Sequence, residues 1–531
     1  VIFGAELSMV GTDFPVEDVA LVISEVAATV DSNFRIEIAN HGTVATDLGG
    51  HVLESRGMVD ASYVFPPETN LVGAGYLVVG EAELGFRAAA GDRLFLLTPE
   101  RQLLAHATRA DAFAQAYSVA HHGEMLVPDA ATFGAPNTFA INSDIVINEI
   151  MYHFRPDPGI GGEPPVDRDE EWVELYNRGA GAVDLTGWSI DGGISFDFPD
   201  GGMLGAGGYL VVARDSVTLS AKYPGLAASI MGNFGGRLDN SRDSVRLENA
   251  SGNPVDEVSY VEGGKWPGLA DGDGSSLELR DVRADNANPG AWAASDESGK
   301  SAWETFTYRR NLARPQHAQT YGSTLWNELR LGMLRAGEVL IDDLSVVRDP
   351  DGAAQELMQN GDFELSPASS KWRTLGNHRH SVVIAEPGNA GNQVLHIVAS
   401  GGAGIAHNHL ESTFVGNTPI QAGQIYEVSF KARWLRGDNR LNVRAFSAKL
   451  AGTFALSMPA QAGTPGAANS AAAGNLGPTI AGLRHDPIIP AAGAAVTISA
   501  DIADPDGLAS LVVRTTINGS PGPSPSLTPA G

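Results

Sequence analysis

Four histidines in the second half of the chain have the types and spacing that could support metal chemistry. They form two His-x-His pairs, His378 with His380 and His407 with His409. In an extended strand, residues i and i+2 lie on the same face, so each pair would present two imidazoles together. Two such pairs that meet could hold zinc or a similar cation. The alternative is that all four are polar groups of surface loops.

A basic stretch between Lys431 and Lys449 indicates a second kind of chemistry, the binding of an acidic glycan. The exposed candidates in this stretch are Arg433, Arg440 and Arg444. Trp372, which stands between two basic residues, is the candidate for stacking on a sugar ring. Trp434 occupies the apolar phase of an alternating strand and is therefore predicted to lie in a core.

Glutamates that recur in two parts of the chain are the third candidate. Glu149, Glu171 and Glu174 are echoed by Glu25 and Glu37. Two carboxylates about 5–10 Å apart can act as acid and base in glycoside hydrolysis. The recurrence of the positions in both copies favours a structural role instead, in which buried carboxylates are satisfied by hydrogen bonds.

Composition excludes several classes of protein. The 531 residues carry a net charge of −28, which argues against nucleic acid as a partner because phosphate contacts need clustered Lys and Arg. The absence of cysteine excludes disulfides, thiolate zinc sites and cysteine nucleophiles. No apolar run reaches the length of about 18 residues that a membrane span requires. No nucleophile elbow, zinc-protease motif or phosphate loop is present, so we predict a protein that is not an enzyme.

The elements that must position these residues are short strands. Apolar runs bounded by Gly, Asp, Asn or Pro are typical of β-sandwiches, so the predicted class is all-β. One pattern occurs twice, with seven residues from Asn40 to Asp47 and again seven from Asn177 to Asp184. Chance rarely produces such equal spacings, which indicates a repeated module.

The second copy resembles the lamin-tail domain, an immunoglobulin-like sandwich found in large bacterial surface and secreted proteins. The resemblance implies a sandwich without catalytic chemistry. We place the two copies at 1–140 and 141–310 and predict that they end in the small-residue segments 133–137 and 285–290. The matching residues are Asn148-Glu149-Ile150, Glu171 to Asn177, Asp184-Leu185-Thr186-Gly187-Trp188 and Gly207 to Val212.

Residues 311–460 resemble carbohydrate-binding jelly rolls of the galactose-binding type, on the evidence of Glu338 to Val347, Gln359 to Glu364 and the alternating strand at Tyr426 to Trp434. In that family the Ile-Asp-Asp strand closes the domain, whereas here it comes first. The module is therefore either permuted or lends that strand to an adjoining sheet. The resemblance also implies a structural calcium ion, the one cofactor considered, although the Asp/Gly-rich segments themselves are typical of turns.

The remaining chain is predicted to be a flexible linker at 461–478, followed by part of an immunoglobulin- or fibronectin-like repeat at 479–531. The chain is interpreted as a piece of a longer protein. We expect an extracellular or cell-surface scaffold or adhesion region of a bacterial protein, with a polysaccharide or cell-surface glycan as the partner of the third module. The alternative is the accessory region of a large secreted or surface enzyme, such as a spore-coat-kinase-like protein or a hydrolase, with its catalytic domain elsewhere.

Overall fold

The computed structural model is all-β, which confirms the predicted fold class. No helix among the residues that it describes is long and apolar enough to cross a membrane. The helical elements are short, with a single turn at Glu81–Leu84 and the longest helix at Ser216–Lys222. The structure describes residues 21–521 except for 122, 157–167, 312–326, 368–369, 405–406, 422, 446–448, 487–495, 505, 508–511, 513, 515 and 518–519.

The first sandwich, residues 21–140, packs a sheet of order β11-β10-β1-β2-β7 against one of order β5-β4-β8-β9, beside the small pair β3-β6. Apolar side chains from both sheets meet in one core that includes Phe34, Leu53 and Phe65. Its strands are β1 (Leu21–Val26), β2 (Arg35–Asn40), β3 (Thr46–Asp47), β4 (Val52–Arg56), β5 (Ala61–Val64), β6 (Asn70–Leu71), β7 (Tyr76–Gly80), β8 (Arg93–Leu97), β9 (Leu104–Arg109), β10 (Gln115–Ser118) and β11 (Glu124–Leu126).

The second sandwich, residues 141–302, repeats this arrangement with sheets β19-β18-β13-β12-β23-β24 and β20-β16-β15-β21-β22, beside the pair β14-β17. Its strands are β12 (Ile145–Met151), β13 (Trp172–Asn177), β14 (Val183–Asp184), β15 (Ser189–Gly192), β16 (Ile194–Asp197), β17 (Met203–Leu204), β18 (Tyr209–Ala213), β19 (Ile230–Gly232), β20 (Gly235–Gly236), β21 (Arg242–Glu248), β22 (Pro254–Val261), β23 (Leu277–Leu279) and β24 (Trp292–Ala294).

Strand β12 is buried on both faces, which is why its sequence, IVINEIM, is apolar almost throughout. One face carries Ile145, Ile147 and Ile150 into the core between the sheets. On the other face Met151 packs with Leu219 of the helix and with Ala462, which lies far along the chain. The second sandwich therefore has a covered outer face as well as an inner core.

The third sandwich, residues 304–458, has sheets of order β25-β33-β27-β31-β30 and β29-β32-β26-β34-β35, with β28 paired to β27. Its strands are β25 (Glu304–Asn311), β26 (Glu328–Met333), β27 (Gly337–Arg348), β28 (Gln355–Glu356), β29 (Trp372–Thr374), β30 (Val382–Glu386), β31 (Asn389–Ala399), β32 (Leu410–Thr413), β33 (Ile425–Gly437), β34 (Arg440–Ala445) and β35 (Lys449–Ala455).

Two expectations for this region are decided by its sheets. The alternation at Tyr426 to Trp434 is confirmed, because these apolar side chains are buried and Trp434 is fully enclosed. The strand that contains Ile341-Asp342-Asp343 is β27, which lies between β33 and β31 and so belongs to the sandwich's own sheet, not to an adjoining one. Strand β25 spans the boundary predicted at 310 and pairs with β33 along its whole length.

Residues 461–478 are predicted to be a flexible linker, but they are bound to the second sandwich. We call this segment the strap, because it runs back over the second sandwich and is held there by hydrogen bonds to buried side chains. Small residues allow this close approach, although the same composition is typical of linkers. Beyond it, β36 (Thr479–Asp486) pairs with β37 (Thr497–Ala503) and β38 (Thr516–Ile517) with β39 (Ser520–Pro521). The predicted last repeat extends over 522–531, which lie outside the described residues.

Candidate functional site

The second sheet of the third sandwich has one apolar and one charged face. Strand β26 turns Leu329, Leu331 and Met333 into the core, so the intervening residues must face the other way. Strand β34 does the same with Leu441 and Val443. We call the outer side the polar face, and it carries Glu328, Arg330, Arg373, Glu411, Arg440, Asn442 and Arg444.

Glu411 is the centre of the charges on this face. Its carboxylate lies 2.9 Å from Arg373 Nε, 3.3 Å from Arg330 Nε and 3.2 Å from His409 Nε2. Burial acts to raise the pKa of Glu411, but hydrogen bonds from Arg373 and His409 and the nearby guanidinium charges hold it below its usual value. Glu411 is therefore ionised at neutral pH, and together with Glu328, which lies 2.7 Å from Arg373 and 3.4 Å from Arg330, it compensates these two arginines.

Arg444 stands directly across from Arg330 on the neighbouring strand, which places two guanidinium groups side by side. Arg444 donates from Nη2 to the carbonyl oxygen of Gly404 at 2.5 Å. Burial and the charge of Arg330 both lower the pKa of Arg444. Like charges across a strand pair are unfavourable, so an anion placed over this pair would be stabilised.

The predicted ligand residues do not all share this face. Arg440 and Arg444 do, and Arg440 also forms an ion pair with Asp438 at 2.9 Å. Arg433 belongs to the other sheet and donates to the carbonyl of Ser298 at 2.7 Å. Trp372 turns toward the core, where its ring lies 5.6 Å from Phe363.

Sequence reasoning missed Arg330 and Arg373, which complete the group with Arg440 and Arg444. The signal that could have found Arg330 is the alternation in Glu328-Leu329-Arg330-Leu331, which places charges on one face of a strand. The pairing of that strand with β34 could not be read from the sequence, because it joins segments that are far apart in the chain.

The histidine pairs are not brought together as ligands. His378 belongs to a short 3₁₀ turn, Gly376–His378, so the rule for extended strands does not apply to it. His378 and His409 are buried, whereas His380 and His407 are exposed.

Both ring nitrogens of each buried histidine are engaged within the protein. His378 Nε2 accepts the backbone N–H of Met333 at 3.0 Å, and its Nδ1 lies 2.6 Å from Asn377 Oδ1. Burial, with the nearby His409, lowers the pKa of His378 to about 4. His409 uses Nδ1 toward the carbonyl of His407 and Nε2 toward Glu411. Within the described residues no group of three or more His, Cys, Asp or Glu side chains could hold a metal, so the four histidines do not form the zinc site that their spacing suggested. The structural calcium ion, which carbonyl oxygens would partly hold, stays a prediction.

The recurring glutamates are buried and hydrogen-bonded, which confirms the structural interpretation of these positions. Glu149 and Glu174 are fully buried and directly opposite each other on β12 and β13, and Glu25 and Glu37 have the same relation on β1 and β2. Glu171 accepts from Arg214 at 3.1 Å and from the N–H of Leu238 at 2.9 Å.

In the second sandwich the pair lies beside a third buried carboxylate, Glu278, which sequence reasoning missed. Burial raises the pKa of Glu149 well above its usual value, and the charges of Glu174 and Glu278 add to this effect. Burial also raises the pKa of Glu174 to about 8, against the lowering effect of hydrogen bonds from Gly466 and Asn148. At neutral pH the pair therefore retains a proton.

The strap supplies most of the donors for these carboxylates. Thr464 donates its backbone N–H to Glu149 at 2.9 Å and its hydroxyl to Glu278 at 2.7 Å. Gly466 donates its N–H to Glu174, and Ala471 donates its N–H to Glu278 at 2.7 Å. The three buried carboxylates are thus satisfied by donors within the protein, as the structural interpretation of these glutamates requires.

Comparison with known proteins identifies one part of the chain. Residues 140–262 match the family model of the Lamin Tail Domain. This confirms the lamin-tail resemblance for the second sandwich and supports a non-catalytic, immunoglobulin-like domain there. A comparison with curated proteins found no match.

Among solved structures, the chain is similar to a crystal structure of a DUF4876 family protein from Bacteroides thetaiotaomicron. The two share 14% sequence identity with a TM-score of 0.12, over 36% of this chain. The matched part spans about half, 48%, of that protein.

Proposed function

We propose that this chain is part of an extracellular scaffold or adhesion protein whose third sandwich binds an acidic polysaccharide on its polar face. The observation that carries the proposal is the gathering of Arg330, Arg373, Arg440 and Arg444 on one sheet face. The chain as a whole has a net charge of −28, so four arginines on one face indicate a function at that face. Guanidinium groups pair with carboxylate and sulfate oxygens through two parallel hydrogen bonds, which suits uronic acids and sulfated sugars.

The charge balance of the polar face supports an anion over a neutral sugar. Glu411 and Glu328 together compensate Arg330 and Arg373, and Asp438 lies beside Arg440. Arg444 has the carbonyl of Gly404 as a neutral partner and Arg330 as a cationic neighbour. A carboxylate of the ligand would therefore gain most beside Arg444, because Arg330 is itself buried.

Binding of the whole chain to polygalacturonate, with dextran as the neutral control, tests the proposal. We expect retention on the acidic polymer that weakens as salt increases, because exposed charge pairs are screened. The variant Arg440→Gln with Arg444→Gln should lower the affinity by about tenfold or more, since each charge-assisted hydrogen bond contributes about 1.5–3 kcal/mol.

The matched control is Arg309→Gln with Arg310→Gln, which removes two arginines from strand β25 of the opposite sheet. This variant should bind like the parent. Equal affinity for both polymers, or equal losses in the two variants, would show that the polar face does not select an acidic ligand.

A further inference from the structure

The strap repeats a short segment of the first sandwich, and both occupy equivalent sites. Residues 132–137 read TFGAPN and residues 464–469 read TPGAAN, so the two share the pattern T-x-G-x-x-N. The segment at 285–290, predicted to be the counterpart of 133–137, is not the equivalent one. Its Asp285 and Asn288 accept backbone N–H groups of local turns, and Asn286 donates to Asp256 at 2.7 Å.

The threonine of each segment binds the first glutamate of a cross-strand pair. Thr132 donates both its backbone N–H and its hydroxyl to Glu25, at 3.0 Å and 2.9 Å. Thr464 donates its backbone N–H to Glu149 at 2.9 Å and has its hydroxyl 3.3 Å from the same carboxylate. The backbone N–H of the threonine thus binds the first glutamate in both sandwiches, whereas the Thr464 hydroxyl donates to Glu278 at 2.7 Å and only lies near Glu149.

The glycine of each segment donates its N–H to the second glutamate of the pair, Glu37 for Gly134 and Glu174 for Gly466. Both glycines have a positive φ, +87° for Gly134 and +78° for Gly466. Other residues adopt this backbone conformation only at a cost, so the pattern requires glycine there.

The asparagine of each segment binds main-chain carbonyls of two strands. Asn137 donates to Ser24 O at 3.1 Å and to Tyr117 O at 2.9 Å. Asn469 donates to Asn148 O at 3.0 Å and to Leu279 O at 2.7 Å. Ser24 and Asn148 precede the first glutamate of each pair, so the acceptors correspond residue by residue.

The two segments reach these sites by different routes. Asn137 and Tyr117 are 20 residues apart in the chain, whereas Asn469 and Leu279 are 190 residues apart. The third sandwich, residues 304–458, lies within the longer interval. It is therefore inserted into the second sandwich, which is completed only when the strap returns.

We propose that the paired glutamates of the second sandwich form a recognition site for a T-x-G-x-x-N segment and bind the strap independently of the covalent connection to it. The contacts that the two segments share are made by the threonine, the glycine and the asparagine, and in the strap Ser470 adds a hydroxyl donor to Glu278 at 2.8 Å. The binding therefore depends on that short segment and not on the sandwich inserted before it. The partner that fits the site is a segment of this pattern.

Cleavage of the full chain tests this proposal. A protease recognition sequence is inserted after Ala460, which is exposed, and an affinity tag is placed at the C-terminus. After cleavage, the tagged C-terminal part should retain the N-terminal part on the affinity resin at micromolar concentration. The double variant Thr464→Val with Asn469→Ala should lose the N-terminal part at least about tenfold faster, because it removes several buried hydrogen bonds.

The matched control is Asn475→Ala, which lies in the same strap but outside the pattern and contacts Asp506. It should behave like the parent. Immediate separation of the cleaved parent chain, or equal retention by the double variant, would overturn the proposal.

A competition experiment keeps the test valid if the double variant does not fold. A synthetic peptide with the sequence of residues 461–475 is added to the cleaved parent protein, beside a scrambled peptide of the same composition. We expect the first peptide to release the N-terminal part in proportion to its concentration, and the scrambled one to have no effect. Equal release by both peptides, or by neither, contradicts sequence-specific recognition.

Discussion

The first and second sandwiches each bury a pair of glutamates that receives hydrogen bonds from a T-x-G-x-x-N segment, residues 132–137 or residues 464–469. We call each of these the closing segment of its sandwich, and the two differ in where they lie in the chain. In the first, the closing segment follows shortly after the last strands of its own sheet, and Glu25 and Glu37 meet it with few other charges nearby. In the second, the strap arrives after an entire inserted sandwich and meets three buried carboxylates. The same contacts are therefore made from two different positions in the chain, so the contacts and not the chain position define this fold element.

The additional carboxylate of the second site, Glu278, has an electrostatic consequence. In the first site burial raises the pKa of Glu25 and of Glu37, while hydrogen bonds from Thr132 and Gly134 and the charge of Arg35 act against this shift. Burial, Glu174 and Glu278 together raise the pKa of Glu149 much further. The second site therefore depends more strongly on protonation and on the strap than the first.

The largest expected effect comes from exchanging one small residue between the two closing segments. Gly463 precedes Thr464, and the first sandwich has Ala131 in the equivalent position. A Cβ at Gly463 would stand 2.3 Å from Glu149 Oε1, and φ there is +74°. Gly463→Ala should destabilise the second sandwich by about 2–4 kcal/mol, combining left-handed strain with displaced hydrogen bonds to a buried carboxylate.

Hydrogen exchange measured separately on peptides from β1 and β12 checks this prediction, because a chain with several domains has no single free energy of unfolding. The control is Ala131→Gly, which should leave the exchange of β1 nearly unchanged, since Ala131 is exposed. If both substitutions had similar effects, the second site would be no tighter than the first.

The next effect concerns the residue before the first glutamate. Asn148 donates to Glu174 at 2.8 Å and to Asn469 at 2.9 Å, and it is fully buried. Asn148→Ala should destabilise the second sandwich by about 1–3 kcal/mol, because it leaves buried polar partners unsatisfied. Ser24→Ala removes a 3.3 Å contact to Asn137 and a hydrogen bond to Glu37, but Asn137 keeps its two carbonyl acceptors, so the substitution should cost less than Asn148→Ala. Exchange protection of β12 and β1 reports both, and a larger loss in β1 would reverse the comparison.

The stability of the first and the second sandwich should depend differently on pH. With the pKa of Glu174 raised to about 8, the folded state keeps a proton that the unfolded chain releases near its usual value of 4.5. The contribution of this bound proton to the stability of the second sandwich is fully present below about pH 4.5 and is lost as the pH rises from there through 8. Protection of β12 should therefore fall between pH 5 and 8 more than protection of β1.

Glu174→Gln provides the control for this pH dependence. The amide cannot ionise, so the fall in protection of β12 between pH 5 and 8 should become shallower. A fall as steep as in the parent protein would assign the effect to another group.

The smallest effect is expected from Glu278→Ala, which places in the second sandwich the residue that the first has there, Ala116. The variant loses hydrogen bonds from the hydroxyls of Thr464 and Ser470 and from the N–H of Ala471, but it also removes a carboxylate that raises the pKa of Glu149 and Glu174. These two effects oppose each other, so the stability of the second sandwich at pH 7 should change by no more than about 1 kcal/mol. The midpoint of the pH-dependent fall in β12 protection should move to lower pH, and an unchanged midpoint would contradict the influence of Glu278.

Much of the architecture follows from patterns that are local in the chain. The alternation at Tyr426 to Trp434 predicts a strand and a buried Trp434, because successive side chains of a strand face opposite sides. The repeated spacing from Asn40 to Asp47 and from Asn177 to Asp184 predicts equivalent strands, and the recurrence of Glu25 and Glu149 in it predicts their shared structural role.

Local patterns did not predict the placement of the histidine pairs or of all the basic residues. The i and i+2 rule predicts shared faces only if the backbone is extended, and His378 lies in a 3₁₀ turn. Arg440 and Arg444 share a face as their spacing implies, but Arg330 and Arg373 join them through pairings between distant strands. Trp372 alternates with Arg373, so one of the two had to face the core, and only the packing decided which.

By itself, the sequence determined the all-β class, the lamin-tail resemblance of the second sandwich and the burial of its glutamates, since each rests on spacing along one stretch. The tertiary structure decided the role of the strap. Its Gly- and Ala-rich composition is typical of flexible linkers, and the acceptors for the N–H groups of Thr464, Gly466 and Ala471 lie far away in the chain. Those acceptors are Glu149, Glu174 and Glu278, which only folding brings to Thr464 and Gly466. Buried carboxylates require donors, and the closest donors in space are among the most distant in sequence.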